Sequence, residues 1–79
     1  MMNKEELVRI LREEGIRDDV YYLYGGLPPE KLTLSEVFGK WYVYYSERGL
    51  ETNKREFATE SEACTFMLRQ LRRDPSSKR

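Results

Sequence analysis

Few side chains in this sequence could carry out covalent chemistry. Cys64 is the single cysteine and there is no histidine, so a thiol nucleophile would lack the base that usually activates it. The same two counts exclude a zinc site built from cysteine and histidine ligands within this chain. Carboxylate neighbours such as Glu13 and Glu14 fall on a helix face that we expect to be solvated, which does not suit general acid or base catalysis. We therefore predict a protein that is not an enzyme and that uses no metal or cofactor.

Aromatic recognition is the chemistry that the sequence favours. Four aromatic residues lie within five positions, in the run Trp41-Tyr42-Val43-Tyr44-Tyr45. Such residues favour a strand, in which successive side chains point to opposite faces. Trp41, Val43 and Tyr45 then share a core face, and Tyr42 and Tyr44 share an outward face, where tyrosines are typical of binding hot spots. The predicted partner-binding residues are Tyr42, Tyr44, Glu47, Arg48 and Leu50.

Length and charge narrow the class of protein further. The 79 residues carry 14 basic and 14 acidic side chains, so the formal net charge is zero. A general nucleic-acid or membrane-surface binder would need a basic excess, and no apolar run approaches the roughly 20 residues of a membrane span. The polar N-terminus is unlike a signal peptide, and a lone thiol suits a reducing compartment. We expect a cytoplasmic monomer or homodimer, with a single domain over residues 1–75 and a disordered tail over residues 76–79.

Two helices are predicted from capping signals and apolar spacing. The first covers residues 4–14, with Asn3 as its N-cap and Gly15 as a left-handed residue after its last turn. The second follows a capping box that begins at Thr59, and it ends near Arg73 because a proline comes two residues later. Apolar residues recur at helical spacing in both segments.

The residues between the helices have strand character. We expect a short strand or extended piece at residues 20–24, a strand at 32–37, the aromatic strand, and an edge strand at about 50–57. Two helices of this length can cover one face of such a sheet but not both. The predicted fold is therefore α+β in the order α-(β)-β-β-β-α, a small antiparallel meander with two helices on one face.

Turn chemistry predicts the strand register. A type II′ turn at Gly39-Lys40 would pair Phe38 with Trp41 on the inward face. A three-residue loop at Glu47-Arg48-Gly49 would then bring Phe57 to the face of Trp41, because an odd loop length is needed.

One resemblance rests on these same residues. The run from Gly39 to Gly49, the segment from Phe57 to Cys64 and the upstream Gly26-Leu27-Pro28 resemble a family of small bacterial proteins. Some members of that family are similar to immunity proteins of polymorphic toxin systems. The resemblance implies a protein that binds a cognate toxin and neutralises it, and it implies no catalytic residues.

Two functional hypotheses remain open from the sequence. The first is a non-enzymatic protein-binding module, with a bacterial toxin as the implied partner. The alternative is a single-stranded nucleic-acid-binding domain in which bases stack on aromatic residues of the sheet. The balanced charge disfavours this alternative, since phosphate binding depends on a basic surface.

Overall fold

The computed structural model describes residues 2–74, which form two helices and one four-stranded sheet in an α+β fold. The elements in chain order are α1 (Lys4–Glu13), β1 (Tyr21–Tyr22), β2 (Lys31–Val37), β3 (Lys40–Glu47), β4 (Leu50–Phe57) and α2 (Glu60–Arg73). This order confirms the predicted α-(β)-β-β-β-α arrangement. The predicted disordered tail at residues 76–79 lies outside the described residues, as does Pro75.

The sheet is mixed, with strand order β1-β2-β3-β4. β2, β3 and β4 form the predicted antiparallel meander. The short strand expected at residues 20–24 is β1, which adds to the edge of the meander parallel to β2 and pairs Tyr21 with Leu32. The sheet as a whole is therefore not purely antiparallel.

Local capping explains where each helix begins. The Asn3 side chain accepts a hydrogen bond from the Glu6 amide at 2.9 Å, and the Thr59 hydroxyl accepts one from the Glu62 amide at 3.1 Å. These bonds satisfy amides that have no partner within the helix. The Glu62 carboxylate accepts from the Thr59 hydroxyl, at 3.1 Å, rather than from the backbone amide that a capping box would offer.

Both helices contribute side chains to one hydrophobic core on one side of the sheet. α2 packs on β2, β3 and β4, whereas the close backbone contacts of α1 with other described elements are all with α2. Leu7 and Leu11 of α1 are fully buried with Leu34 and Val43 of the sheet. An Arg72–Glu14 ion pair also joins the C-terminal ends of the two helices. The predicted helix layer on the Val43 face is thus confirmed.

The predicted turn between β2 and β3 is wrong by one residue. Val37 pairs with Lys40, so the two central residues are Phe38 and Gly39, with φ of 51° and 81°. Two positive φ values match a type I′ turn, whereas the prediction assumed type II′ with Gly39 first. Phe38 is consequently fully exposed at the turn and does not pair with Trp41, which lies opposite Glu36.

The predicted loop between β3 and β4 is also wrong in length. Glu47 pairs with Leu50, which leaves a two-residue turn at Arg48 and Gly49. Phe57 nevertheless lies on the face of Trp41, as predicted, because the register shifts within β4, and it pairs directly with Trp41. The turn is one residue shorter than predicted, and β4 contains one extra residue instead. This extra residue forms a β-bulge at Asn53, which has a φ of 54°.

The sheet face away from the helices is partly covered by the chain itself. Because β1 and β2 are parallel, the chain has to return from Gly25 to the start of β2. The Gly25 amide donates to the Leu34 carbonyl at 2.9 Å, and the Gly26 carbonyl accepts from the Tyr44 hydroxyl at 2.6 Å. We name residues 26–30 the return segment, and these contacts place its first residue, Gly26, against the face that carries Tyr44.

Candidate functional site: exposed aromatic residues at one end of the sheet

Tyr44 is not the exposed anchor that the strand alternation predicted. It lies on the face away from the helices, as expected, but its side chain is only 2 % exposed. Its hydroxyl is held by the Gly26 carbonyl, and burial is the main reason that the pKa of this phenol is raised. The prediction failed because the parallel pairing of β1, which forces the chain back over this face, was not foreseen.

Tyr42 is half-buried on the same face and is covered by a lysine. The Lys54 ammonium lies 4.7 Å from the centre of the Tyr42 ring and 5.6 Å from that of Tyr44. The same ammonium pairs with Glu51 at 3.0 Å. Cation–π contacts of this kind are worth about 0.5–1 kcal/mol at exposed sites. Tyr42 therefore already has an intramolecular partner on its open side.

The other three predicted residues lie around the turn between β3 and β4. Arg48 is exposed and Glu47 is half-buried, and Leu50 is 62 % exposed. Leu50 pairs with Glu47 and shares the helix side of the sheet with it, because the turn has an even number of residues. The five predicted partner-binding residues are thus divided between the two faces and one turn, and the structure does not bring them together as one surface.

The most exposed aromatic residue is Phe38, at the opposite end of the sheet. Its side chain is fully exposed, and the neighbouring Val37 is 44 % exposed. Its φ of 51° is a conformation that bulky residues rarely adopt and that asparagine and glycine tolerate best. Sequence reasoning missed this residue because it placed Gly39 first in the turn. The signal that could have found it is the glycine, which equally suits the second position of a type I′ turn.

Further aromatic residues lie toward the same end of the sheet, along the β1 edge. Tyr24 is 74 % exposed and Tyr22 is 40 % exposed, and their rings meet edge to face at 5.7 Å. The Lys4 ammonium lies 5.0 Å from the Tyr24 ring and 5.5 Å from the Trp41 ring. These cation–π contacts link the first turn of α1 to Tyr24 and Trp41. We name Tyr22, Tyr24, Val37, Phe38 and Trp41 the aromatic end of the sheet.

Several lysines and arginines elsewhere in the protein are paired with carboxylates. Lys40 pairs with Glu56 at 3.4 Å, beside the turn that carries Phe38, and Lys54 pairs with Glu51. The arginines of α1 and of the following loop also pair, Arg9 with Glu6 and Glu13, and Arg17 with Asp19. Paired cations of this kind do not form the continuous basic track that a nucleic-acid backbone requires.

The single cysteine lies in the core of the protein. Cys64 is fully buried, and burial raises the pKa of its thiol to about 11. A protonated, inaccessible thiol is a core side chain. Within residues 2–74 there is no group of histidine, cysteine and carboxylate side chains that could hold a metal ion, and no helix is long and apolar enough to cross a membrane.

No protein-family model, curated protein or solved structure matches the chain. The resemblance to toxin-immunity proteins therefore stays a prediction that rests on the quoted residues.

Proposed function

We propose that this chain is a non-enzymatic protein-binding module that docks its partner through the aromatic end of the sheet, with Phe38 as the main anchor. The observation that carries the proposal is the full exposure of Phe38 at the tip of a hairpin. Hairpin turns presented by a rigid sheet are common places for binding residues.

Nothing in the fold accounts for a phenylalanine at this position. Its side chain buries no surface, so it does not stabilise the core, and its left-handed backbone disfavours a bulky residue. Burial of the same side chain in a partner's pocket would contribute about 1.5–3 kcal/mol. This is the size of effect that distinguishes a hot-spot residue from a passive contact.

The surroundings of Phe38 suit a protein interface. Val37 and Tyr24 add exposed apolar surface toward the same end, and Lys40 and Glu56 supply a paired, polar rim. Interfaces commonly combine a few apolar or aromatic anchors with a polar rim of this kind. The rim carries both signs of charge, so it does not select a strongly charged partner.

The resemblance to immunity proteins supports a more specific form of the proposal, in which the partner is a bacterial toxin. In that form, Phe38 enters an apolar pocket of the toxin, and the aromatic end blocks an active site or an essential surface. A neighbouring gene for a large secreted protein with a variable C-terminal domain would supply the candidate toxin.

Single-stranded nucleic-acid binding is the second candidate, favoured by the two exposed rings of Tyr22 and Tyr24. It has weaker support, because the net charge of the chain is zero and two lysines of the sheet, Lys40 and Lys54, are paired with carboxylates. Salt dependence separates the two hypotheses. Affinity for oligonucleotides that falls steeply with added salt would favour the nucleic-acid hypothesis, whereas the absence of binding at low salt would remove it.

Affinity capture tests the protein-binding proposal. The wild-type protein and the Phe38→Asn variant are used side by side as baits in extracts of the native host. Asparagine suits the turn conformation, so the bait should stay folded. We expect one host protein to be retained by the wild type and lost with Phe38→Asn.

The matched control is Leu50→Asn, which removes an exposed apolar side chain from the turn at the other end of the sheet. We expect this bait to retain the same host protein. Equal capture of the host protein by the wild type and by Phe38→Asn would contradict the proposal. Loss of the host protein with Leu50→Asn instead would also contradict it, and would place the interface at the turn between β3 and β4 that the sequence predicted.

A further inference from the structure

The helix layer does not cover the whole sheet. The backbone of α1 lies close to α2 and not to a strand, so α2 is the helix that lies directly on β2, β3 and β4. A half-open groove of about 910 Å³ remains between the C-terminal half of α2 and these three strands. Small-molecule sites have volumes of about 300–1,000 Å³. Because the lining does not include Phe38, Tyr22 or Tyr24, this groove is distinct from the proposed protein interface.

The deep part of the groove is apolar. Leu32 and Val43 line it from the sheet, and Leu71 and Phe66 line it from α2. Leu32 and Phe66 are only partly buried, so they keep surface that an apolar ligand could remove from water. Burial of each methylene against such a lining favours binding. The chemistry of this part fits a flexible alkyl chain.

Two arginines without an ion pair among the described residues lie at the rim of the groove. Arg55 and Arg73 line it, and neither forms an ion pair with another described residue. The guanidinium of Arg55 lies 5.4 Å from the centre of the Phe66 ring, directly beside the apolar lining. Two acidic residues, Glu30 and Asp74, also line the groove. Lys54 lines it as well and is paired with Glu51, so Arg55 is the guanidinium that meets the apolar lining without an ion pair to another described residue.

Neutral hydrogen-bonding groups complete the rim. Gln70 and Asn53 contribute side-chain amides, and Tyr45 contributes a phenol. These groups, together with the arginines, can donate hydrogen bonds to a carboxylate, and Arg55 can do so from beside the apolar lining.

We infer that this groove binds an anionic amphiphile, a medium-length alkyl chain with a single carboxylate, which places its chain on the apolar lining and its carboxylate at the arginines. The site is a second binding function, separate from partner docking. It requires no chemical change in the ligand.

Titration with decanoate tests the inference. The probes are decanoate, decan-1-ol as a neutral analogue and decyltrimethylammonium as a cationic one, each below the concentration at which it forms micelles. Amide shifts in two-dimensional NMR spectra of the labelled full chain locate the site and give the affinity. We expect saturable shifts at Asn53, Arg55 and Gln70 with decanoate, and at least tenfold weaker binding of the cationic probe.

Two sets of variants separate charge from shape. The double variant Arg55→Gln with Arg73→Gln should weaken decanoate binding at least tenfold and leave decan-1-ol binding unchanged. Gln70→Trp, which fills the groove, should weaken both ligands. The matched control is Arg12→Gln with Arg69→Gln, two exposed arginines outside the groove, and it should change neither affinity.

Several results would overturn the inference. These are the absence of saturable decanoate binding, equally tight binding of the cationic probe, shifts centred on the aromatic end, and an equal loss of affinity in the control variant.

Discussion

Phe38 and Tyr44 show how one residue's surroundings decide its role. Both are aromatic residues on the central hairpin, yet Phe38 is fully exposed and Tyr44 is 2 % exposed. Phe38 occupies a left-handed turn position, where its ring touches no core. Tyr44 is enclosed by the return segment and donates a hydrogen bond to it. The first residue is therefore available to a partner, and the second stabilises the fold.

Replacement of Phe38 by asparagine should not destabilise the protein. The variant loses no buried surface, and asparagine is better suited to a φ of 51°. We expect a melting temperature equal to or slightly above that of the wild type, measured by circular dichroism. Leu34→Ala is the contrasting change, since Leu34 is fully buried and its truncation should cost about 2–5 kcal/mol. A fall in stability for Phe38→Asn comparable with that of Leu34→Ala would show that Phe38 packs against the fold.

Removal of the Tyr44 hydroxyl should weaken the attachment of the return segment. Tyr44→Phe keeps the ring and loses the bond to the Gly26 carbonyl, so we expect a loss of about 1 kcal/mol in the free energy of unfolding. Tyr42→Phe is the control, because the Tyr42 hydroxyl has no hydrogen bond to another described residue. Urea unfolding measures both variants, and equal stabilities would mean that the Tyr44 bond contributes nothing.

At the scale of elements, the bulge in β4 determines which face of the sheet Phe57 occupies. The turn at Arg48 and Gly49 has two residues, so a regular β4 would place Phe57 on the face away from the helices. The extra residue at Asn53 restores Phe57 to the helix side, opposite Trp41, and there its ring lies 5.2 Å from that of Phe66. The bulge also interrupts an exposed edge strand, which discourages pairing with a second chain.

A β-branched residue at position 53 should consequently destabilise the protein. Asn53→Val forces such a side chain into a backbone with a φ of 54°, and we expect a loss of about 1–2 kcal/mol. Asn53→Gly should be close to neutral, because glycine adopts this conformation freely. Thr52→Val controls for the neighbouring position, and chemical denaturation compares all three. If Asn53→Val were as stable as Thr52→Val, the bulge would not depend on this residue.

The helices and the meander of β2, β3 and β4 could be predicted from the sequence because their signals are local. Asn3 and Thr59 mark the helix starts, and the aromatic run marks the central strand. The turn types were mispredicted because one glycine suits more than one turn. The candidate site could not be predicted, since the exposure of Tyr44 depends on a non-local event, the parallel pairing of β1 and the return of the chain across the sheet.

The whole molecule is a thin slab whose two faces are closed differently. Its Cα atoms extend over 33 × 32 × 17 Å. The helices cover one face with an apolar core except at the groove beside α2, and the return segment covers part of the other. A chain of this size is near the lower limit for a stable core without a disulfide. The exposed apolar side chains lie mainly at the two ends of the sheet and in the groove beside α2.

The core should make stability sensitive to alkaline pH through Cys64. Burial raises the pKa of its thiol from 9.0 to about 11 in the folded protein, so between these pH values the unfolded chain binds fewer protons than the folded one. Stability should fall as pH rises through this range. Cys64→Ala removes the thiol, and we expect a flatter dependence of the unfolding free energy on pH. Identical slopes for the two proteins would show that the thiol does not titrate on unfolding.

Calorimetry with the purified partner tests the central claim most directly. Phe38→Asn should weaken binding by at least about 2 kcal/mol, the hot-spot scale, which is roughly thirtyfold in Kd. Leu50→Asn, at the opposite turn, should change Kd by less than about threefold. The reverse order, with Leu50→Asn disrupting binding and Phe38→Asn leaving it intact, would contradict the account.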